Sequence, residues 1–110
     1  MAQIDHFRIG DVGGVIILTF EEDNAAVDIS SATNMQINFR TPVGDLITKT
    51  GTLYSSGTDG KMKYTVESGF FNRSRRSELI GEWQAEGTCT IGSWSGTSTI
   101  TSFCVDDTLA

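Results

Sequence analysis

Apolar and polar residues alternate along three consecutive segments in the middle of the chain, between Asn34 and Thr65. Successive side chains of a strand point to opposite faces of a sheet, so alternation with period two predicts half-buried strands. Two short segments rich in turn residues, TPVGD and SSGTDG, separate the three runs. Such residues let antiparallel strands reverse direction. The middle of the chain is therefore predicted to be an antiparallel β meander.

The same alternation assigns side chains to the two faces of the predicted strands. The inward set consists of Met35, Ile37, Phe39, Ile47, Gly51, Leu53, Met62, Tyr64 and Val66. The threonines at positions 48, 50 and 52 take the outward positions of the middle strand, residues 46–54. Lys49 shares the inward parity, and a charged side chain there predicts a bulge or a position at the rim of the core.

The first half of the chain is predicted to contain two further strands. Residues 15–21 are apolar enough to be buried on both sides, and residues 25–29 form a short strand after an acidic turn. Residues 1–14 are loosely patterned and end in a glycine-rich segment. They are therefore interpreted as an N-terminal arm that orders on assembly.

The second half of the chain is predicted to end in a hairpin. Residues 81–91 and 97–105 are its strands, joined by the segment GSWSG, and residues 106–110 form a tail. The alternation breaks at residues 70–77, where a loop or one helical turn is expected. With seven to eight short strands and frequent turns, residues 15–105 are predicted to form one all-β domain, an immunoglobulin-like antiparallel β-sandwich.

Composition narrows the classes of partner. The 110 residues suit one domain with a real core, and the net charge is −6. Proteins that hold nucleic acid need an excess of Lys and Arg to displace counterions from phosphates, so nucleic acid is not expected as a partner. No apolar run approaches membrane-spanning length, and no secretory signal is seen at the N-terminus, so no membrane contact is expected either.

Two cysteines allow one disulfide, but alternation opposes it. Cys89 shares the parity of Trp83 and faces the core, whereas Cys104 lies between the inward pair Phe103 and Val105 and faces outward. Side chains on opposite faces do not meet the Cβ spacing of a disulfide. Two free thiols are predicted, which fits folding inside a cell.

Candidate chemistry is sparse. His6 is the single histidine, so neither a zinc cluster nor a well-marked Ser-His-Asp arrangement is indicated. The acidic residues at 21–23 supply oxygen ligands that calcium takes, but their spacing matches no EF-hand loop and favours a solvated turn. No enzyme activity, metal or cofactor is predicted.

One basic segment is the first candidate partner interface. It contains Arg73, Arg75 and Arg76, beside Phe70 and Phe71. Arg forks pair well with carboxylates of a neighbouring subunit, and exposed aromatic rings next to arginines are typical of an interface centre. An ordinary solvated loop is the alternative.

Trp94 is the second candidate. It lies in GSWSG, where a large ring at a hairpin tip has little of its own domain to pack against. It is predicted to anchor a protein partner or to stack on a carbohydrate. The alternative is that the ring folds back over the open end of the sandwich.

Several segments together resemble a phage family. VDISSAT precedes an alternating strand, TPVGD forms a turn, TKTGTLYSSGTDGKMKYT forms a hairpin, and GEWQAEGT opens the last hairpin. In this order they are similar to the immunoglobulin-like domain at the N-terminus of phage baseplate upper proteins and to related small virion structural proteins. The similarity covers residues 10–105. The segment FFNRSRRSELI departs from it, because the family commonly has a short acidic-polar turn there.

The resemblance implies a virion protein, assembled in the host cytoplasm, that works through contacts with capsid or tail subunits. A one-domain chain ending at Ala110 favours a capsid decoration (cement) protein over a baseplate adaptor. A tail or baseplate component and a carbohydrate-binding host-attachment module are the alternatives. Homo-oligomer formation is left open.

Overall fold

The computed structural model describes residues 6–109. This range contains eleven strands and one short helical segment, joined by turns and loops. The strands are β1 (His6–Arg8), β2 (Val15–Thr19), β3 (Glu21–Glu22), β4 (Ala25–Ala26), β5 (Thr33–Arg40), β6 (Leu46–Thr50), β7 (Thr52–Leu53), β8 (Lys61–Thr65), β9 (Gly81–Ile91), β10 (Trp94–Thr97) and β11 (Thr101–Asp106). A 3-10 turn, Arg73–Arg75, leads into the helix α1 (Arg76–Leu79). Across this described range no helix has the length and apolar character needed to span a membrane.

The strands form a β-sandwich, which confirms the predicted all-β class. The large sheet has the order β1-β11-β9-β5-β6, with β10 also pairing with β9, and the small sheet has the order β2-β8-β7. The strands β3 and β4 form a separate hairpin. All strand pairs are antiparallel except β1 with β11, which is parallel.

The predicted alternation is confirmed in the core. Ile37, Phe39, Met62, Tyr64 and Val66 are buried, and the strand β2 is buried along four successive residues. An aromatic cluster fills the space between the sheets. Its members are Phe7, Phe39, Tyr64, Phe70, Phe71, Trp83 and Phe103, with neighbouring ring centroids 5.0–6.4 Å apart.

Residues 46–54 were expected to be one strand, but the chain changes sheets at Gly51. Before it, β6 pairs with β5 in the large sheet, and after it, β7 pairs with β8 in the small sheet. A Cβ atom on Gly51 would lie 2.5 Å from the sulfur of Met62. Glycine therefore lets the backbone cross close to the core, as glycines inside strands often do. Lys49 keeps the inward parity and ends at the rim, with Nζ 5.9 Å from the centroid of the Phe70 ring.

The predicted N-terminal arm is wrong for residues 6–9. His6, Phe7 and Arg8 pair with Cys104, Val105 and Asp106, and Phe7 is 1% exposed. Ile9 is equally buried, and its N–H donates to the carbonyl of Asp106 at 2.9 Å. The two apolar side chains alternate like a strand, but three residues are too few to give a clear sequence signal. Residues 1–5 of the predicted arm, like Ala110 of the predicted tail, lie outside the described range.

The ends of two other predicted strands also differ. The strand expected at 25–29 is limited to β4, and the second arm of the last hairpin divides into β10 and β11. Between them the chain reaches the open edge of β2, where the N–H of Thr99 donates to the carbonyl of Thr19 at 3.0 Å. This contact joins the two sheets along one side of the sandwich. The inward positions change from even numbers in β10, where Gly96 is opposite Cys89, to odd numbers in β11, where Phe103 is opposite Trp83.

The cysteine prediction is confirmed. Cys89 is buried and Cys104 is exposed, and neither forms a disulfide. Burial raises the pKa of the Cys89 thiol, so this side chain behaves as a small apolar core residue.

Candidate interaction surfaces

The basic segment is folded by local hydrogen bonds. The side chain of Asn72 accepts from the backbone N–H of Ser74 at 2.9 Å and from its hydroxyl at 2.8 Å, which caps the 3-10 turn. The helix α1 then ends at Leu79, whose side chain is buried. The carbonyl of Leu79 accepts a hydrogen bond from the indole nitrogen of Trp83 at 2.7 Å. The segment is thus anchored to the core at its end.

The arginines of this segment pair within their own chain. The Nη2 atom of Arg75 lies 3.0 Å from a carboxylate oxygen of Glu78 and 3.7 Å from one of Asp45. The hydrogen bond from Arg75 lowers the pKa of Glu78. The Nη1 atom of Arg76 lies 3.0 Å from Asp107. Their exposure, 47% for Arg75 and 35% for Arg76, still leaves both guanidinium groups accessible to solvent.

Arg73 lies against the turn that follows β1. A Cβ atom on Gly10 would stand 2.7 Å from its Nη2 atom. Gly10 also has a φ of +90°, a conformation that side chains disfavour. The turn is therefore shaped to let this arginine cross it.

Phe70 and Phe71 do not belong to a surface, so the prediction of an exposed aromatic pair is wrong. Phe70 is 9% exposed and its ring lies 5.1 Å from those of Phe39 and Tyr64, while Phe71 is 1% exposed and lies 5.3 Å from Phe7. The two rings close the end of the sandwich from inside. Burying aromatic area in this way is strongly favourable, which outweighs the position of the residues in a connecting segment.

Trp94 lies on a strand and not at a hairpin tip. It begins β10 opposite Ile91, and the turn consists of Gly92 and Ser93. Its ring folds along its own strand over Gly96, where a Cβ atom would lie 2.3 Å from Cζ2. The residue remains 38% exposed. The ring is thus held in place on one side and open to solvent on the other.

Two exposed aliphatic residues were missed by the sequence prediction. Leu46 is 69% exposed and Ile100 is 62% exposed. Together with Ala85 and four polar residues they line a shallow depression of about 100 Å³ on the outer face of the large sheet. Alternation places Ile47 inward and Leu46 outward, but it does not show that Leu46 and Ile100 share one surface, because that depends on strand pairing.

The other candidate sites of the sequence have simple local roles. Asp23 and Asn24 form the tight turn between β3 and β4, with φ angles of 52° and 63°. The imidazole of His6 contacts the carboxylate of Asp106. Among residues 6–109, no group of three or more His, Cys, Asp or Glu side chains is arranged to hold a metal ion.

Neither the known protein-family models nor the curated proteins contain a match to this sequence.

Proposed function

We propose that the protein is a non-enzymatic virion structural protein of a tailed phage, and specifically a capsid decoration protein that bridges neighbouring capsid subunits. The motif order from residue 10 to residue 105 is one support. The strand order is another support: β2-β8-β7 is similar to the order B-E-D of an immunoglobulin-like sandwich, and β11-β9-β5 is similar to the order G-F-C. The placement of β1 beside β11 departs from the constant-type arrangement.

The observation that carries the proposal is a surface at one end of the sandwich, which we call the arginine end: Val43, Arg75, Arg76 and Leu109. Val43 is 58% exposed, and Leu109 is fully exposed. Asp45 and Asp107, which contact the two arginines, lie two residues from Val43 and Leu109, respectively. Arginine is enriched at protein interfaces, and burying the two exposed aliphatic side chains against a partner would be favourable.

The intramolecular ion pairs define how this surface would dock. The carboxylates of Glu78 and Asp45 fix the orientation of Arg75 beforehand, while 47% of its side chain stays exposed to a partner. Docking would therefore cost less side-chain entropy than it would with a free arginine. Many weak contacts of this kind on one particle add up to firm attachment.

Purified expanded capsids test the proposal. We expect the protein to bind them in a fixed stoichiometry and to raise their resistance to heat. Val43→Asp should weaken binding, whereas Ser93→Asp, at the opposite end of the molecule, should not. No binding to capsids would contradict the decoration role. Binding to purified tails or baseplates instead would support the tail or baseplate alternative.

The second candidate function is carbohydrate binding at Trp94. It is favoured by one observation, the partly exposed ring held over Gly96, because a fixed aromatic face suits stacking on a sugar. The proposal predicts retention on host polysaccharide that is lost in Trp94→Ala and kept in Trp94→Phe. Equal retention of the wild type and Trp94→Ala would exclude the ring as the platform.

A further inference from the structure

The outer face of the large sheet carries a compact group of side chains that belongs neither to the core nor to the arginine end. We call it the outer patch: Asn38, Arg40, Leu46, Gln84, Glu86 and Ile100, which line the shallow depression together with the buried Ala85. Except for Leu46 and Ile100, the residues of the outer patch are polar. Leu46 and Ile100 are 69% and 62% exposed, and burying them against a partner would be favourable.

The strand register places the two aliphatic residues at opposite corners. Leu46 is opposite Arg40 on the neighbouring strand. Thr101 is opposite Ala85, so Ile100 stands level with Glu86. With about 4.8 Å between strands and about 3.4 Å per residue, the two corners are roughly 16 Å apart.

The two charged residues of the patch, Arg40 and Glu86, lie between the corners that Leu46 and Ile100 occupy. Arg40 is paired with Gln84 across the strands, and Glu86 is the next outward residue of β9 after Gln84. Across residues 6–109, neither Arg40 nor Glu86 forms an ion pair. Glu86 is opposite Asn38 on β5, so the cation and the carboxylate are diagonal neighbours between the two aliphatic corners.

This arrangement is complementary to itself. We propose that the outer patch is an interface between two copies of this chain, packed face to face about a two-fold axis that lies in the interface. An axis running obliquely to the strands brings Leu46 against the partner's Ile100 and Arg40 near the partner's Glu86. Each contact then occurs twice, as an isologous interface requires.

Charge favours a second copy over other occupants of the patch. The protein has a net charge of −6, so two copies repel each other over most of their surfaces. The outer patch holds one positive and one negative side chain and is locally neutral, so two copies can approach there without this electrostatic repulsion. In the two-fold dimer, Arg40 of each copy also faces Glu86 of the other copy, so both charges form attractive pairs.

The size of the patch predicts a reversible dimer. Four strands of about five residues present a projected area of roughly 300 Å². Stable interfaces bury about 800 Å² on each partner, so this contact is expected to be weak and dependent on concentration. The inference goes beyond the proposed virion role and does not depend on it, because the purified chain dimerises without a capsid.

Sedimentation velocity over a wide range of protein concentrations tests the inference. We expect a shift from monomer to dimer, and a dissociation constant raised about tenfold or more by Ile100→Asp. Val12→Asp is the matched control, because it adds the same charge at an exposed aliphatic position outside both the outer patch and the arginine end. Thermal unfolding of both variants verifies that they are folded.

Charge reversal makes the test specific for a symmetric dimer. Arg40→Glu and Glu86→Arg should each weaken the dimer when alone, and the variant carrying both changes should recover it. An equimolar mixture of the two single variants should also dimerise, because every contact between unlike copies is then complementary. A wild-type protein that stays monomeric at all concentrations, or a mixture that stays monomeric, would overturn the inference and leave the patch to a partner of another kind.

Discussion

The two faces of the large sheet are built from the same strands and have opposite chemistry. On the inner face, Phe103 pairs with Trp83, and the two rings stack at 5.6 Å. One residue further along the strands, Arg40 and Gln84 pair on the outer face and are exposed. The inner face is therefore scaffold, and the outer face is free to present side chains to a partner. A shift of one residue in register would exchange these roles completely.

Removing the largest inner side chain should give the strongest effect on stability. Trp83 is fully buried and donates a hydrogen bond to Leu79. Trp83→Ala is expected to lower the free energy of unfolding by about 3–5 kcal/mol. Urea unfolding followed by circular dichroism measures the loss. Gln84→Ala, its outer-face neighbour, should change stability by no more than about 0.5 kcal/mol, and similar losses for both variants would contradict the division of the two faces.

Adding a methyl group on the inner side should lower the free energy of unfolding by less than Trp83→Ala does, but still by a measurable amount. Gly51→Ala places a Cβ atom 2.5 Å from the sulfur and 2.8 Å from Cγ of Met62. Overpacking of this kind destabilises by about 1–3 kcal/mol. The same urea experiment measures it, with Thr52→Ala, an exposed position of β7, as the control. An unchanged or raised stability of Gly51→Ala would mean that the two sheets are not in close contact at this crossing.

The buried phenol of Tyr64 predicts a loss of stability at high pH. Burial, together with the hydrogen bond that the phenol donates to Glu67 at 3.0 Å, raises the pKa of Tyr64 far above its ordinary value. The folded protein keeps the proton, whereas the unfolded chain releases it near pH 10. Stability is therefore fully present below about pH 10 and declines above it.

Unfolding midpoints in urea between neutral pH and about pH 12 measure this decline. We expect Tyr64→Phe to remove part of the alkaline slope and Tyr54→Phe, in which Tyr64 is intact, to retain it. Identical slopes for the wild type and Tyr64→Phe would show that Tyr64 is not the group responsible.

The smallest effect is expected at the exposed ion pairs of the arginine end. Arg75 holds the pKa of Glu78 below its ordinary value through a hydrogen bond, so the pair stabilises the fold above the unfolded pKa of Glu78. This contribution disappears as the pH falls through the lowered value. Arg75→Ala should produce a slight decrease in melting temperature that vanishes in high salt, because exposed pairs are weak and screened. A decrease that persists in salt would indicate a packing role for the arginine.

The sequence predicted the parts of the fold in which one strand follows a clean alternation. The burial of Ile37 and Phe39 and the opposite orientations of Cys89 and Cys104 follow from period two alone. The change of sheet at Gly51 was not predictable, because alternation continues through it and only a contact with Met62 explains the glycine.

The surfaces were predicted less well than the core. Phe70 and Phe71 were placed outside because their segment has no period, yet their burial depends on a gap between the sheets that only tertiary structure reveals. The outer patch depends on register between strands distant in sequence. Leu46 and Ile100 are 54 positions apart in sequence and line the same depression on one face, and no local pattern contains that information.

The reactivity of the two thiols tests the division of the large sheet most directly. Cys89 on β9 faces inward, and Cys104 on β11 faces outward. In the native protein, a thiol reagent should modify one equivalent, Cys104, rapidly and Cys89 only when the chain unfolds. Rapid modification of both thiols, or of Cys89 alone, in the folded protein would contradict the assignment of an inner scaffold and an outer presenting face.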